Sequence, residues 1–295
     1  MLRVAIVGPG RVGRALGRRL AAAGVQLLGF VGRTQDSASA AVAFAGAGRV
    51  LAPGDLVGAH VVVFSVGDAD LVTAIAAARA ATGNRPCGLW LHTSGRFDLG
   101  VFDGVEGIRR GALHPVLPFP SAEHGAAHLA GAPAVLMGEP RSRRLLLRLA
   151  ERLGMVPVWR DGGDPVLYHA GCALAANGLT ALYDLVQRCL VAAGGLEEDG
   201  RRRVADSLLR AAAAACAESG PVAALSGPVR RGDAATVQAH RAALAAGAPA
   251  ALPTYLALMR AALDLAIAAG LPGDRAAAVQ GALGQEMCVD PPSTA

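Results

Sequence analysis

The chain has no lysine: its 28 basic side chains are all arginine, set against 23 acids, for a formal net charge of +5. Without an ε-amine there is no Schiff base to a carbonyl substrate and no lysine acting as acid or base. Aromatic residues are scarce, at 4 %, and the longest basic run is Arg201-Arg202-Arg203. That balance argues against a nucleic-acid partner and suits small anionic ligands better. The five cysteines, Cys87, Cys172, Cys189, Cys216 and Cys288, have no paired spacing, and most sit in apolar surroundings, so neither a disulfide framework nor a zinc knuckle is expected. Apolar stretches are interrupted by Arg, Asp, Gly or Pro before they reach the roughly 18 residues of a membrane span. The amino terminus enters a strand and a glycine turn at once, leaving no room for a signal peptide. A soluble cytoplasmic protein with no membrane partner is expected.

What the chain does hold is apolar bulk, 53 % of 295 residues, enough for two domains with separate cores. The opening stretch, LRVAIVGPGRVGRALGRRLAAAG, reads as a β-branched strand, a turn at Gly8-Pro9-Gly10 and a helix opened by Gly13 with apolar positions at Val12, Leu16 and Leu20. A strand, a glycine turn and a helix N-terminus together aim backbone N–H groups and a positive dipole end at a pyrophosphate. Gly8 permits the turn, Gly10 lets the phosphates approach, and Gly13 lets helix and strand pack closely. The second strand, VQLLGFVGRT, ends where an acid would hold the ribose hydroxyls of NAD; Gly32-Arg33-Thr34 stands there, and no acid comes before Asp36. An arginine fork beside a hydroxyl, Arg33 with Thr34, suits a 2′-phosphate that a carboxylate would repel, so NADP is the expected cofactor. Arg11 adds a second charge to that phosphate or remains a solvated surface arginine.

Two further strands end in polar turns, Ser65-Val66-Gly67-Asp68 and His92-Thr93-Ser94-Gly95. Ligands gather at the carboxyl ends of parallel strands, so Ser65 and Val66 are expected against the nicotinamide half of the cofactor, and Ser94 either meets substrate or serves as a plain turn serine. His114, before Pro115 at another strand end, is a catalytic or substrate-contacting residue or else a structural turn residue. His124 and His128, one helical turn apart, make only half a metal site, and no metal is expected. Strands over APAVLM and MVPVW and a helix over RSRRLLLRLAERLG complete a first domain, 1–163, and Asp161-Gly162-Gly163-Asp164-Pro165 marks the boundary.

From Val166 onward no strand is expected. Apolar helical runs cover roughly 166–193, 201–218, 234–246 and 254–270, giving an all-α second domain, 164–295, behind an α/β Rossmann-like one. The run 166–193 is apolar on nearly all sides, the best candidate for burial across a homodimer. It nevertheless carries His169 and Asn177. On a regular helix these emerge within roughly 80° of each other, on one wall, and burying either without a partner costs about 1–3 kcal/mol. His169 is a proton donor near neutral pH or a satisfied core histidine. Farther on, Ser226-Gly227-Pro228 forms a turn, Asp233 caps the next helix, and Arg230 or Arg231 clamps a substrate carboxylate or salt-bridges a hinge.

The motifs GPGRVG, HTSG, LHP, YHAGCALAAN and especially ALSGPVRRGDAATVQAH resemble, over most of the chain, Rossmann-like proteins whose C-terminal helical half is a domain of unknown function. That group is related to the pyrroline-5-carboxylate reductase and 6-phosphogluconate dehydrogenase-like folds, and the resemblance implies, for some members, ketopantoate reduction. Against the Lys, Asn and Asn that ketopantoate reductases carry at four-residue steps, His169 falls at the lysine, Ala173 at the first asparagine and Asn177 at the second. The resemblance thus implies an NADPH-dependent reductase of a small 2-keto acid with His169 as acid and Asn177 orienting substrate. Reduction of a cyclic imine is the alternative within the fold, and a non-catalytic NADP(H)-binding sensor or scaffold is the alternative outside it.

Overall fold

The computed structural model describes residues 1–83 and 88–284; Cys87 and Cys288 lie outside the described residues. The chain divides into two compact units, Met1–Ala176 and Asn177–Ala295.

The first unit is one eight-stranded sheet, β1 (Arg3–Val7), β2 (Gln26–Val31), β3 (Arg49–Val50), β4 (Val61–Phe64), β5 (Leu89–His92), β6 (Arg109–Pro115), β7 (Pro133–Gly138) and β8 (Val156–Trp159). Its spatial order is β3-β2-β1-β4-β5-β6-β7-β8. Neighbouring strands are parallel except β7, which runs antiparallel to β6. The strand expected over APAVLM is present as β7, while its antiparallel direction and the two-residue β3 are features that periodicity did not reveal. Side chains alternate as a sheet buried on both faces requires: Val4, Ile6, Val61, Val63, Leu89 and Leu91 enter one core, while Ala5, Val7, Val62, Phe64 and Trp90 enter the other. The first core is closed by helices α1 (Arg11–Ala22), α2 (Gln35–Ala45), α4 (Ala122–His128) and α5 (Arg143–Leu153), and the second chiefly by α3 (Leu71–Thr82). Helix α6 (Pro165–Ala173) follows the Asp161–Asp164 segment, and the Asp164 carboxylate accepts from the N–H groups of Val166 and Leu167. It belongs to the first unit, so this unit runs thirteen residues beyond Gly163.

The regular helix expected over 166–193 is interrupted. Leu174–Gly178 form a π-helical turn between α6 and α7 (Leu179–Ala193). The angle reckoned for His169 and Asn177 at 3.6 residues per turn therefore does not describe them; the wider turn advances each residue by a smaller angle. Nor is this stretch covered in the single chain: Leu167 is 71 % and Leu174 77 % exposed.

The second unit contains α7, α8 (Glu198–Ser219), α9 (Pro221–Ala224), α10 (Pro228–Arg231), α11 (Ala234–Gly247), α12 (Leu252–Ala268) and α13 (Gly273–Leu283), with no strand among the described residues. Val229, Val237, Leu263, Ala266, Val279 and Leu283 form its core. Asp233 caps α11 as expected, accepting from the Thr236 N–H at 3.0 Å. Arg230 donates to the Ala269 carbonyl at 3.3 Å, tying α10 to the end of α12. One helical stretch, Pro249–Ala268, is long and apolar enough by length and composition to cross a membrane. It carries Arg260 and Asp264 and contributes Leu263 and Ala266 to the core of this unit.

Candidate functional site

The glycine turn does what its residues allow. Gly8 has φ +102°, open to glycine but strained for other residues, and its N–H donates to the Val31 carbonyl at 3.0 Å. A side chain on Gly13 would strike the Gly8 carbonyl, so close packing of α1 on the turn depends on that hydrogen atom. Gly10 differs: a methyl there would meet nothing within 4 Å. It also caps α1 without a side-chain acceptor, so the first-turn N–H groups face the open space beside it.

That space belongs to a cavity of about 580 Å³ lined by Gly8, Gly10, Arg33, Thr34, Ser65 and Val66, together with Asp70 and small residues of α3. Ser65 is buried, and its hydroxyl donates to the Gly8 carbonyl at 2.9 Å, locking the end of β4 to the turn after β1. Thr34 accepts from the Ser37 N–H at 3.2 Å and so caps α2 from the cavity wall. Arg33 is 90 % exposed and only loosely paired, 3.8 Å from the Asp70 carboxylate. Val12 is half-buried and packs on the core beneath the turn. Arg11 donates to the Phe119 carbonyl at 3.3 Å and does not line the cavity.

A second group assembles at the same carboxyl edge of the sheet, from β5, β6 and α6. Nδ1 of His114 lies 2.7 Å from the Tyr168 hydroxyl, and the two rings meet edge to face. The His169 ring stands 6.3 Å from that of His114, nearly perpendicular to it. A methyl on Gly95 would lie 2.9 Å from Cε1 of His114, so the Ser94-Gly95 turn packs directly on this imidazole. Burial, then the charge of the adjacent His169, pushes the His114 pKa down to about 4. His114 is therefore neutral near pH 7. Burial, then the neighbouring Cys172, pushes the Tyr168 phenol up and keeps it protonated. Ser94 accepts from the Arg96 N–H at 3.1 Å, a turn-stabilising bond. His92 is fully buried, its Nε2 donating to the Asp98 carbonyl at 3.1 Å.

The sequence reading therefore named His114, His169 and Ser94, which lie together, and missed Tyr168, whose bond to His114 spans 54 positions. Asn177 is exposed and opens the second unit. His124 and His128 stack at 4.1 Å, with His128 bonded to its own helix through the His124 carbonyl. Among the described residues no group of three or more His, Cys, Asp or Glu side chains is placed to hold a metal ion.

Residues 1–117 match the model of a Rossmann-like domain, and residues 132–262 match that of a domain of unknown function, DUF2520. No curated protein matches the sequence. Among solved structures, a Bacteroides fragilis protein assigned as an NADP oxidoreductase is similar at TM-score 0.72 and 20 % identity, covering 89 % of this chain and 98 % of that one. A protein of Thermotoga maritima is similar at TM-score 0.68 and 20 % identity, covering 90 % and 99 %. The Plasmodium falciparum pyrroline carboxylate reductase, solved with NADP bound, is similar at TM-score 0.61 and 10 % identity, covering 95 % and 98 %. These likenesses establish the fold.

Proposed function

We propose, for a chain in which a Rossmann-like domain precedes a DUF2520 domain, an NADPH-dependent reductase of a small 2-keto acid of the ketopantoate kind. The observation that carries this reading is the convergence of Gly8, Gly10, Arg33, Thr34, Ser65 and Val66 on one cavity. The residues fit a dinucleotide: the bare space at Gly10 admits phosphate, the uncapped first turn of α1 offers N–H donors, and Arg33 has freedom to leave Asp70 for a 2′-phosphate. When bound, NADPH supplies the hydride.

The chain's own groups supply the rest. Hydride addition to a ketone builds negative charge on oxygen, and a positioned acid that yields its proton there contributes about 10²–10⁴-fold. His169 is the proton donor in this reading, with neutral His114 and the Tyr168 hydroxyl fixing the geometry beside it. His114, neutral near pH 7, stands with its ring 6.3 Å from that of His169. Asn177 is the residue assigned to orient substrate, on the strength of the sequence resemblance. The exposed apolar side chains Leu167, Leu174, Leu179 and Val191 support a homodimer that covers them.

The test is NADPH consumption with a panel of small 2-keto acids and cyclic imines. Turnover with a 2-keto acid is expected. Turnover confined to cyclic imines would replace the substrate class, and tight NADPH binding with no turnover by any candidate would replace the enzyme with a binding protein.

A further inference from the structure

The opposite, amino-terminal edge of the same sheet holds a second cavity, of about 610 Å³, with no role in the reading above. Its floor is a row of backbone across four adjacent strands. The His60 N–H donates to the Arg3 carbonyl at 2.9 Å, Leu89 N–H to the His60 carbonyl at 2.9 Å, and Arg109 N–H to the Gly88 carbonyl at 2.8 Å. Arg3 and Arg109 thus flank His60 and Gly88, three strand spacings or about 14 Å apart along the edge. A side chain at Gly88 would strike the His60 carbonyl, so the floor of the row stays bare. Over it lies α5 with the segment before it, presenting Arg141, Arg144 and Arg148 at successive turns of one face.

The acids nearby are taken. Glu139 pairs with Arg141 at 2.9 Å and lies 3.8 Å from Arg110, and Asp103 pairs with Arg110 at 2.7 Å. Among the described residues no carboxylate pairs with Arg3, Arg109, Arg144 or Arg148, and no acidic side chain lines the cavity. His60 feels the concentration of charge: after burial, Arg3, the amino terminus and Arg109 hold its imidazole below the usual range. Its Nδ1 already accepts from the Arg3 N–H at 3.2 Å, which leaves Nε2–H as a further donor. Four unpaired guanidinium groups around one concavity repel each other, and a multiply charged anion relieves that repulsion while using their paired N–H donors.

We propose that this arginine-lined cavity is a binding site for a condensed phosphate, a pyrophosphate or triphosphate group, separate from the nucleotide cleft. No Phe, Tyr or Trp side chain lines it, and with arginines supplying most of the polar lining recognition falls on the phosphate chain. A concavity of about 610 Å³ suits a small ligand better than a nucleic-acid strand.

The experiment is calorimetric titration of the full chain with inorganic tripolyphosphate at fixed ionic strength, before and after saturation with NADPH, with sulfate and a single-stranded oligonucleotide as competitors. The expected result is one site per chain, far tighter than sulfate and unchanged by NADPH. It should weaken about tenfold or more in the Arg144→Ser/Arg148→Ser variant and stay unchanged in Arg33→Ala. Arg144 and Arg148 both stand exposed on α5, and an unaltered melting curve establishes that the variant folds. Arg109→Lys should retain part of the affinity, since it keeps the charge and loses the fork. Binding abolished by NADPH would assign the phosphate to the Gly8–Gly10 turn and overturn the proposal. So would affinity no better than sulfate, affinity indifferent to the double substitution, or an oligonucleotide that outcompetes tripolyphosphate. None of these outcomes depends on turnover, so the reductase reading stands or falls separately.

Discussion

The Tyr168 hydroxyl and Nδ1 of His114 lie 2.7 Å apart, joining the first helical turns after Asp164 to the end of β6. Both partners are neutral near pH 7, so the bond is an ordinary one between uncharged groups, and its worth lies in placement as much as in energy. Tyr168→Phe keeps the ring and removes the bond, at a stability cost of about 1 kcal/mol. If the pair positions His169, kcat for NADPH oxidation should fall roughly tenfold or more while KM for NADPH holds. A loss confined to melting temperature would mark the pair as structural.

His114 gives a pH signature. Its folded-state pKa, about 4, is below the 6.5 of an unfolded histidine. Between these values the unfolded chain binds more protons, so the stability associated with neutral His114 is complete above pH 6.5 and drains away as pH falls toward 4. The loss amounts to at most about 3 kcal/mol. Below pH 4 this group contributes no further change. Nuclear magnetic resonance titration of the His114 ring should give a midpoint near 4; a midpoint near 6.5 would show the site open to water.

The three turn glycines should separate folding from binding. Gly10→Ala meets no atom within 4 Å and has φ −77°, so it should fold within about 0.5 kcal/mol of the native chain. The new methyl occupies the proposed phosphate position, and NADPH affinity should fall at least about tenfold. Gly8→Ala and Gly13→Ala should instead lower the melting temperature, the first through its φ of +102° and contact with Val66 at 2.8 Å, the second through collision with the Gly8 carbonyl. Chemical denaturation alongside NADPH titration distinguishes the two classes.

Much of this is legible in the sequence. A turn is a local object, and Gly8, Gly10 and Gly13 specify theirs within six residues; the Asp164 and Asp233 caps are local in the same sense. Tyr168 was not legible because its partner is distant and a tyrosine on an apolar helix reads as core. The π-helical turn at Leu174–Gly178 carries no glycine or proline before its last position, so nothing in the pattern announced it. The arginine cavity draws on positions 3, 109, 141, 144 and 148, which only strand order and helix packing unite.

Cofactor choice rests on Arg33 and its weak tether to Asp70. Arg33→Ala should weaken NADPH by about 10–100-fold and NADH much less, because only the former carries the 2′-phosphate. Asp70→Asn, which releases the guanidinium, should tighten NADPH slightly. Equal losses for both nucleotides in Arg33→Ala would remove the phosphate clamp from the account.

The most direct measurement is a crystal structure of the protein with NADP. The pyrophosphate is expected on the uncapped first turn of α1 beside Gly10, the 2′-phosphate at Arg33, and the nicotinamide past Ser65 and Val66 on the side of the sheet edge that holds His114. A dinucleotide bound elsewhere, or one whose nicotinamide points toward β3, would contradict the proposed reductase.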